Sequence, residues 1–85
     1  MQLARVIGHA TATVKHDTLA GWRLMIVQPL AADGGADGDP FIAMDNLGSS
    51  RGADVMITGD GPTVREMLGS DNSPARYAVL GLADA

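Results

Sequence analysis

Cysteine is absent from this 85-residue chain, and aromatic residues nearly so, with one Trp, one Tyr and one Phe. The first absence excludes disulfides and thiolate metal sites together. Positive charge is also scarce: six Lys/Arg stand against ten Asp/Glu, for a formal charge of −4. The five Arg and one Lys are scattered. Nucleic-acid binders usually carry a basic face and aromatic stacking platforms, so that class is disfavoured. Long apolar runs are missing too. The longest, Leu24-Met25-Ile26-Val27, is far too short to span a bilayer. Met1-Gln2-Leu3-Ala4-Arg5 shows no basic stretch leading into a long apolar core, so no signal peptide is expected and a cytoplasmic location is the default.

Residues 1–85 leave room for a single domain. A chain this short buries only about 60–65% of the surface its unfolded form exposes. With disulfides and thiolate metal sites excluded, further copies of the chain are the expected source of extra stability.

What is present is frequent Gly and Pro, with apolar runs of four to eight residues between them, the texture of a small all-β domain. Residues 2–14 read as a first strand and Trp22 to Leu30 as a second. Because Leu24 to Val27 are all apolar, both faces of that second strand are expected to be covered, one by the barrel and the other by a neighbouring subunit. Ala31 to Asp39 reads as a loop, Phe41 to Met44 as a third strand, Val55 to Thr58 as a fourth and Tyr77 to Ala83 as a fifth. One helix is expected after Asp60 or Gly61. Pro62 suits its first turn, Val64, Met67 and Leu68 share one face, and Gly69 stops it. Five strands with a short helix before the last predict a mainly β fold, a small OB-like barrel.

Three stretches invite a chemical reading. Gly48-Ser49-Ser50-Arg51-Gly52 fits G-x-S-x-G, the turn that carries a hydrolase nucleophile. A nucleophile elbow needs a helix after the turn, and here a strand follows; the only possible bases, His9 and His16, lie on or next to the first strand. The glycines are better read as turn residues. Asp33 to Asp39 resembles the start of a calcium loop, yet Gly35 stands where a ligand belongs and Met44 where a bidentate Glu is needed. His9 and His16, seven apart, fall on opposite faces of a straight strand and do not converge on a metal. No catalytic residue, metal set or cofactor is expected, and the five methionines read as core filler.

Taken in order, these segments resemble the EutN/CcmL-type vertex proteins of bacterial microcompartments. The opening Arg5-Val6-Ile7-Gly8, then Ala12-Thr13-x-Lys15-His16-x-x-Leu19-x-Gly21, then Leu24 to Pro29 is similar to that family's beginning. Asp45 to Val55 stands where the family has D-x-V-G-A-G-x-G-E-x-V, with Ser49, Ser50 and Ala53 replacing its alanine, second glycine and glutamate. Gly61-Pro62-Thr63-Val64-Arg65 is similar to the family's glycine-led, arginine-ended helix start, and Ala78 to Asp84 to its closing strand.

The resemblance implies a structural, non-enzymatic subunit of a cyclic pentamer at the five-fold corners of a polyhedral shell. Hexameric and pseudohexameric shell proteins would be its partners, without nucleic acid or membrane. It further implies that Gly48, Ser49 and Ser50 lie near the five-fold axis, the serines rimming a narrow opening. Thr13, Lys15, His16, Asp45, Gly52, Gly61 and Arg65 are its expected interface and family-motif residues. The competing readings are an OB-like binding module for nucleic acid or a small ligand, and a hydrolase acting through Ser50.

Overall fold

The computed structural model describes residues 2–10, 21–69 and 75–83. Their elements are β1 (Gln2–Ala10), β2 (Arg23–Pro29), β3 (Phe41–Asp45), β4 (Asp54–Thr58), α1 (Gly61–Leu68) and β5 (Ala78–Leu82). The expected first strand ran to residue 14; its part beyond Ala10 lies outside the described residues.

The strands close into a barrel in the order β1-β2-β3-β5-β4. Every pairing is antiparallel except β3 with β5, which is parallel and held through Met44 and Ala78. This is the mainly β, OB-like barrel expected. Alternation of side chains along each strand sets the core. Ala4 and Val6 of β1, Met25 and Val27 of β2, Ala43 of β3, Val55 and Ile57 of β4 and Val79 of β5 are all buried and pack together. Fully burying a Val or Ile side chain contributes about 1.5–3 kcal/mol. The expectation for Leu24 to Val27 resolves by face: Met25 and Val27 are buried, while Leu24 and Ile26 on the outer face are only half covered.

Helix α1 forms for local reasons. Asp60 caps it, its carboxylate accepting from the Thr63 backbone N–H at 3.1 Å and from the Thr63 hydroxyl at 2.6 Å. Pro62 sits in the first turn, and Gly69 ends the helix in the left-handed region at φ 69°. Val64 is the buried anchor, packing with Met44 and Ala78 in a second cluster that Trp22, Leu24, Met67, Leu68 and Ala75 flank. The Arg65 guanidinium folds over Gly61, its Nη1 lying 2.9 Å from where a Cβ would stand.

Candidate functional site

The loop after β3 is shaped from inside the subunit. Asp45, fully buried at the end of β3, receives three consecutive-loop amides: Leu47 N–H at 3.2 Å, Gly48 N–H at 3.1 Å and Ser49 N–H at 3.0 Å. Arg23, paired with Asp45 across β2 and β3, donates through Nη1 to the Ser49 carbonyl at 3.1 Å. Ser49 is therefore held at both its N–H and its C=O. Gly48 and Gly52 take positive φ, 79° and 90°, and supply the turns at the two ends of the Gly48–Gly52 stretch. Such a loop keeps its form without help from a ligand.

The expected pair of rim serines separates here. Ser50 and Gly48 are exposed, whereas Ser49 is buried at 2% and turns into its own subunit. Its hydroxyl is the buried side-chain oxygen left without a hydrogen-bond partner among the described residues. Asp45 is equally internal, so its family-motif position reflects loop construction within one chain. The loop runs into strand β4, His9 is on β1 opposite Met25, and among the described residues no three His, Cys, Asp or Glu side chains gather. Thr13, Lys15 and His16 lie outside the described residues.

The loop's exit is fastened by an ion pair. Arg5 Nε meets the Asp54 carboxylate at 2.8 Å, across the β1–β4 register. Hydrogen bonding from Arg5 holds the Asp54 carboxyl below its ordinary value and raises Arg5 in turn. Both side chains are substantially exposed, at 36% and 46%, so solvent screening keeps the pair weak. Gly52 N–H to the Val6 carbonyl and Val6 N–H to the Ala53 carbonyl complete the attachment to β1.

The residues expected at 31–39 make a solvated hairpin loop. Asp33 turns back to accept the Gly35 N–H at 2.8 Å, and Leu30 bridges to Ala36. Gly34 and Gly38 provide its positive-φ turns.

The outer surface of the barrel holds what sequence reasoning missed. An open groove of about 330 Å³ lies between the outer face of β2–β3 and the chain entering β5. Phe41 and Tyr77 line it, their rings tilted by 35° with centroids 4.1 Å apart and both packed against the barrel core behind, and Arg76 is its charged member. Tyr77 in turn rests on Gly59, where a Cβ would come within 2.8 Å of the ring. Phe41 and Tyr77 are far apart in sequence, so only the barrel's closure brings them together. Several outer apolar residues stay open to solvent: Ile42 at 46% on this wall, and Leu80 at 38% and Leu82 at 52% on β5. Exposed apolar area of this sort marks contact surfaces.

This geometry has known counterparts. Residues 1–84 match the family described as ethanolamine utilisation protein EutN/carboxysome. The microcompartment shell vertex protein EutN of Escherichia coli K12 is 34% identical, the alignment covering 99% of this chain and 87% of that relative. The carboxysome shell vertex protein CcmL of Thermosynechococcus vestitus is 32% identical over 99% of this chain and 84% of its own. A solved EutN structure superposes with a TM-score of 0.88 at 33% identity, covering 99% of this chain and 86% of that one. The pentameric shell protein GrpN of Rhodospirillum rubrum superposes at 0.82 and 28% identity, covering 100% and 95% of the two chains. The chain belongs to the EutN/CcmL family of bacterial microcompartment shell vertex proteins, a structural family rather than one of enzymes.

Proposed function

We propose that this chain is a vertex subunit that assembles into a homopentamer and fills the five-fold corners of a microcompartment shell. Its neighbours in the shell would be hexameric and pseudohexameric tiles. The observation that carries the reading is the likeness, over the whole chain, to a solved pentameric shell protein at a TM-score of 0.82. The mechanism is geometric: six-fold tiles make flat sheets, and five-fold corners let those sheets close. A cyclic pentamer joins head to tail, so each subunit must offer two different, complementary surfaces.

Within that ring the Gly48–Gly52 loop stands near the axis. Its construction suits the place, because Asp45 and Arg23 fix the backbone from within and leave Gly48 and Ser50 facing outward. Ser49 then anchors the rim from behind, and Ser50 supplies its hydroxyls. Thr13, Lys15, His16 and Gly52 are assigned to the interface on the family pattern; Gly61 and Arg65 serve the start of α1.

Native mass measurement tests the reading directly. The expected particle is a pentamer of the 8.7 kDa chain, and a monomer alone would overturn the proposal. Shells made without this protein are expected to be open or elongated where no second vertex protein is present.

A further inference from the structure

The tip of the loop after β3 is built almost entirely of donors. Its acceptors are engaged inward: Asp45 takes three amides, the Ser49 carbonyl takes Arg23, and the Ser50 carbonyl takes the Ala53 N–H at 2.9 Å. The donors left over face out. Ser50 and Arg51 are exposed, and neither their backbone N–H groups nor the Arg51 guanidinium has an acceptor among the described residues.

Arg51 is also the one charged residue between Asp45 and Asp54. The acids at the two ends of that stretch are both committed elsewhere: Asp45 is buried in its clamp, and Asp54 is paired with Arg5 at 2.8 Å. The positive charge of Arg51 therefore stands uncompensated in its own subunit, on a chain whose net charge is −4. The family run D-x-V-G-A-G-x-G-E-x-V sets no residue at this position, so the arginine is a feature of this chain and not a requirement of the turn.

We propose that the Ser50–Arg51 tips of five copies together form one anion site on the five-fold axis, where guanidiniums, hydroxyls and amide N–H groups take a small oxyanion such as a carboxylate, phosphate or sulfate. The inference rests on the axial placement of the loop proposed above. Two physical reasons point to an oxyanion. Like charges brought within about 8 Å, the Debye length at physiological ionic strength, repel across the axis unless a counter-charge sits between them. A planar guanidinium beside amide donors also matches a ligand with several acceptor oxygens, which chloride is not. Asp45 and Arg23 fix the backbone beneath the tip, so the donors are arranged before the anion arrives. An opening lined in this way favours anionic small molecules over neutral or cationic ones of the same size.

Calorimetric titration of the full chain with sulfate, in a buffer of low ionic strength, reads affinity and stoichiometry together. The expected result is one sulfate per five chains, with no comparable heat from chloride at matched ionic strength. Arg51→Gln should weaken sulfate binding at least about tenfold, Arg51→Lys should fall between it and the wild type, and Ser50→Ala should weaken binding about threefold. A second readout does not depend on detecting the ligand. At low salt without sulfate, rings of Arg51→Gln should come apart at a higher temperature than wild-type rings, because the mutual repulsion is gone, and sulfate should erase that difference. A wild-type chain that is monomeric would overturn the pentamer reading itself. A pentamer that binds one sulfate per chain would overturn the convergence of the tips. A pentamer that binds no sulfate, binds sulfate and chloride alike, or binds sulfate equally well as Arg51→Gln would overturn the anion site and leave the pentamer standing.

Discussion

Two loops of this small barrel have nearly the same ingredients and opposite behaviour. Both the 31–39 loop and the 46–52 loop combine aspartate with positive-φ glycines, at Gly34 and Gly38 in one and Gly48 and Gly52 in the other. In the first, Asp33 stands in solvent and accepts one N–H, from Gly35. In the second, Asp45 is wholly buried and accepts three. The composition of a loop therefore says little about its rigidity; what matters is whether its carboxylate sits at the end of a core strand. A solvated turn competes with water for each hydrogen bond, so each is worth little. A buried clamp has no such competitor, and its loss strands donors where water cannot reach them.

The largest expected effect follows from that contrast. Asp45→Ala removes the acceptor of three amides and leaves a cavity at the end of β3. It should destabilise the protein by about 3–4 kcal/mol, read by chemical denaturation. Asp45→Asn keeps one acceptor oxygen and should lose an intermediate amount. If Asp45→Ala unfolds no more readily than the wild type, the clamp is not what shapes the loop.

How much of this was legible in the sequence depends on how local the cause is. Helix α1 was readable to its ends because Asp60, Pro62 and Gly69 act on their own neighbours. The strands were readable from their apolar runs, with boundaries shifted by a residue or so: Tyr77 lies outside β5 and Asp45 inside β3. The Asp45 clamp had a local signal that went unused, an aspartate ending an apolar run and followed within four residues by Gly48 and Ser49. Its burial was not legible, because that depends on Arg23 of the paired strand and on the closed barrel. For the same reason the serines could not be told apart, although Ser49 faces inward and Ser50 outward. The Phe41–Tyr77 groove was beyond sequence reasoning altogether. Its aromatics come from β3 and from the approach to β5, two strands related by a parallel pairing that no turn signal announces.

Acid should act on the clamped loop's exit and on the helix start, and less strongly than removal of Asp45. Arg5 holds the Asp54 carboxyl below its ordinary value, and hydrogen bonds from Thr63 do the same for Asp60. A carboxyl whose folded pKa is depressed binds its proton more readily in the unfolded chain. The stability it supplies is thus complete above an unfolded value of about 4 and is lost as pH falls through the lower folded value. Thermal midpoints are expected to hold steady from neutral pH to roughly pH 5 and then fall. In the double variant Asp54→Asn, Asp60→Asn the acid-side fall should be shallower. An unchanged fall would assign acid sensitivity to other carboxyls.

The smallest effect belongs to the solvated loop, and it is the one that isolates position from composition. Asp33→Ala deletes the single acceptor that Gly35 uses, yet both groups are exposed and water replaces the bond at once. The rest of the loop holds through main-chain bonds: Gly34 N–H to the Ala31 carbonyl at 2.9 Å, Ala31 N–H to the Gly35 carbonyl at 2.8 Å, and Asp37 N–H to the Pro29 carbonyl at 2.9 Å. The expected loss is about 0.5 kcal/mol or less, within the range of ordinary surface substitutions. Denaturation of Asp33→Ala and Asp45→Ala side by side makes the measurement. A loss at Asp33 equal to that at Asp45 would mean that burial at the strand end contributes nothing beyond the turn chemistry both loops share, and the 46–52 loop would then owe its shape to its glycines alone.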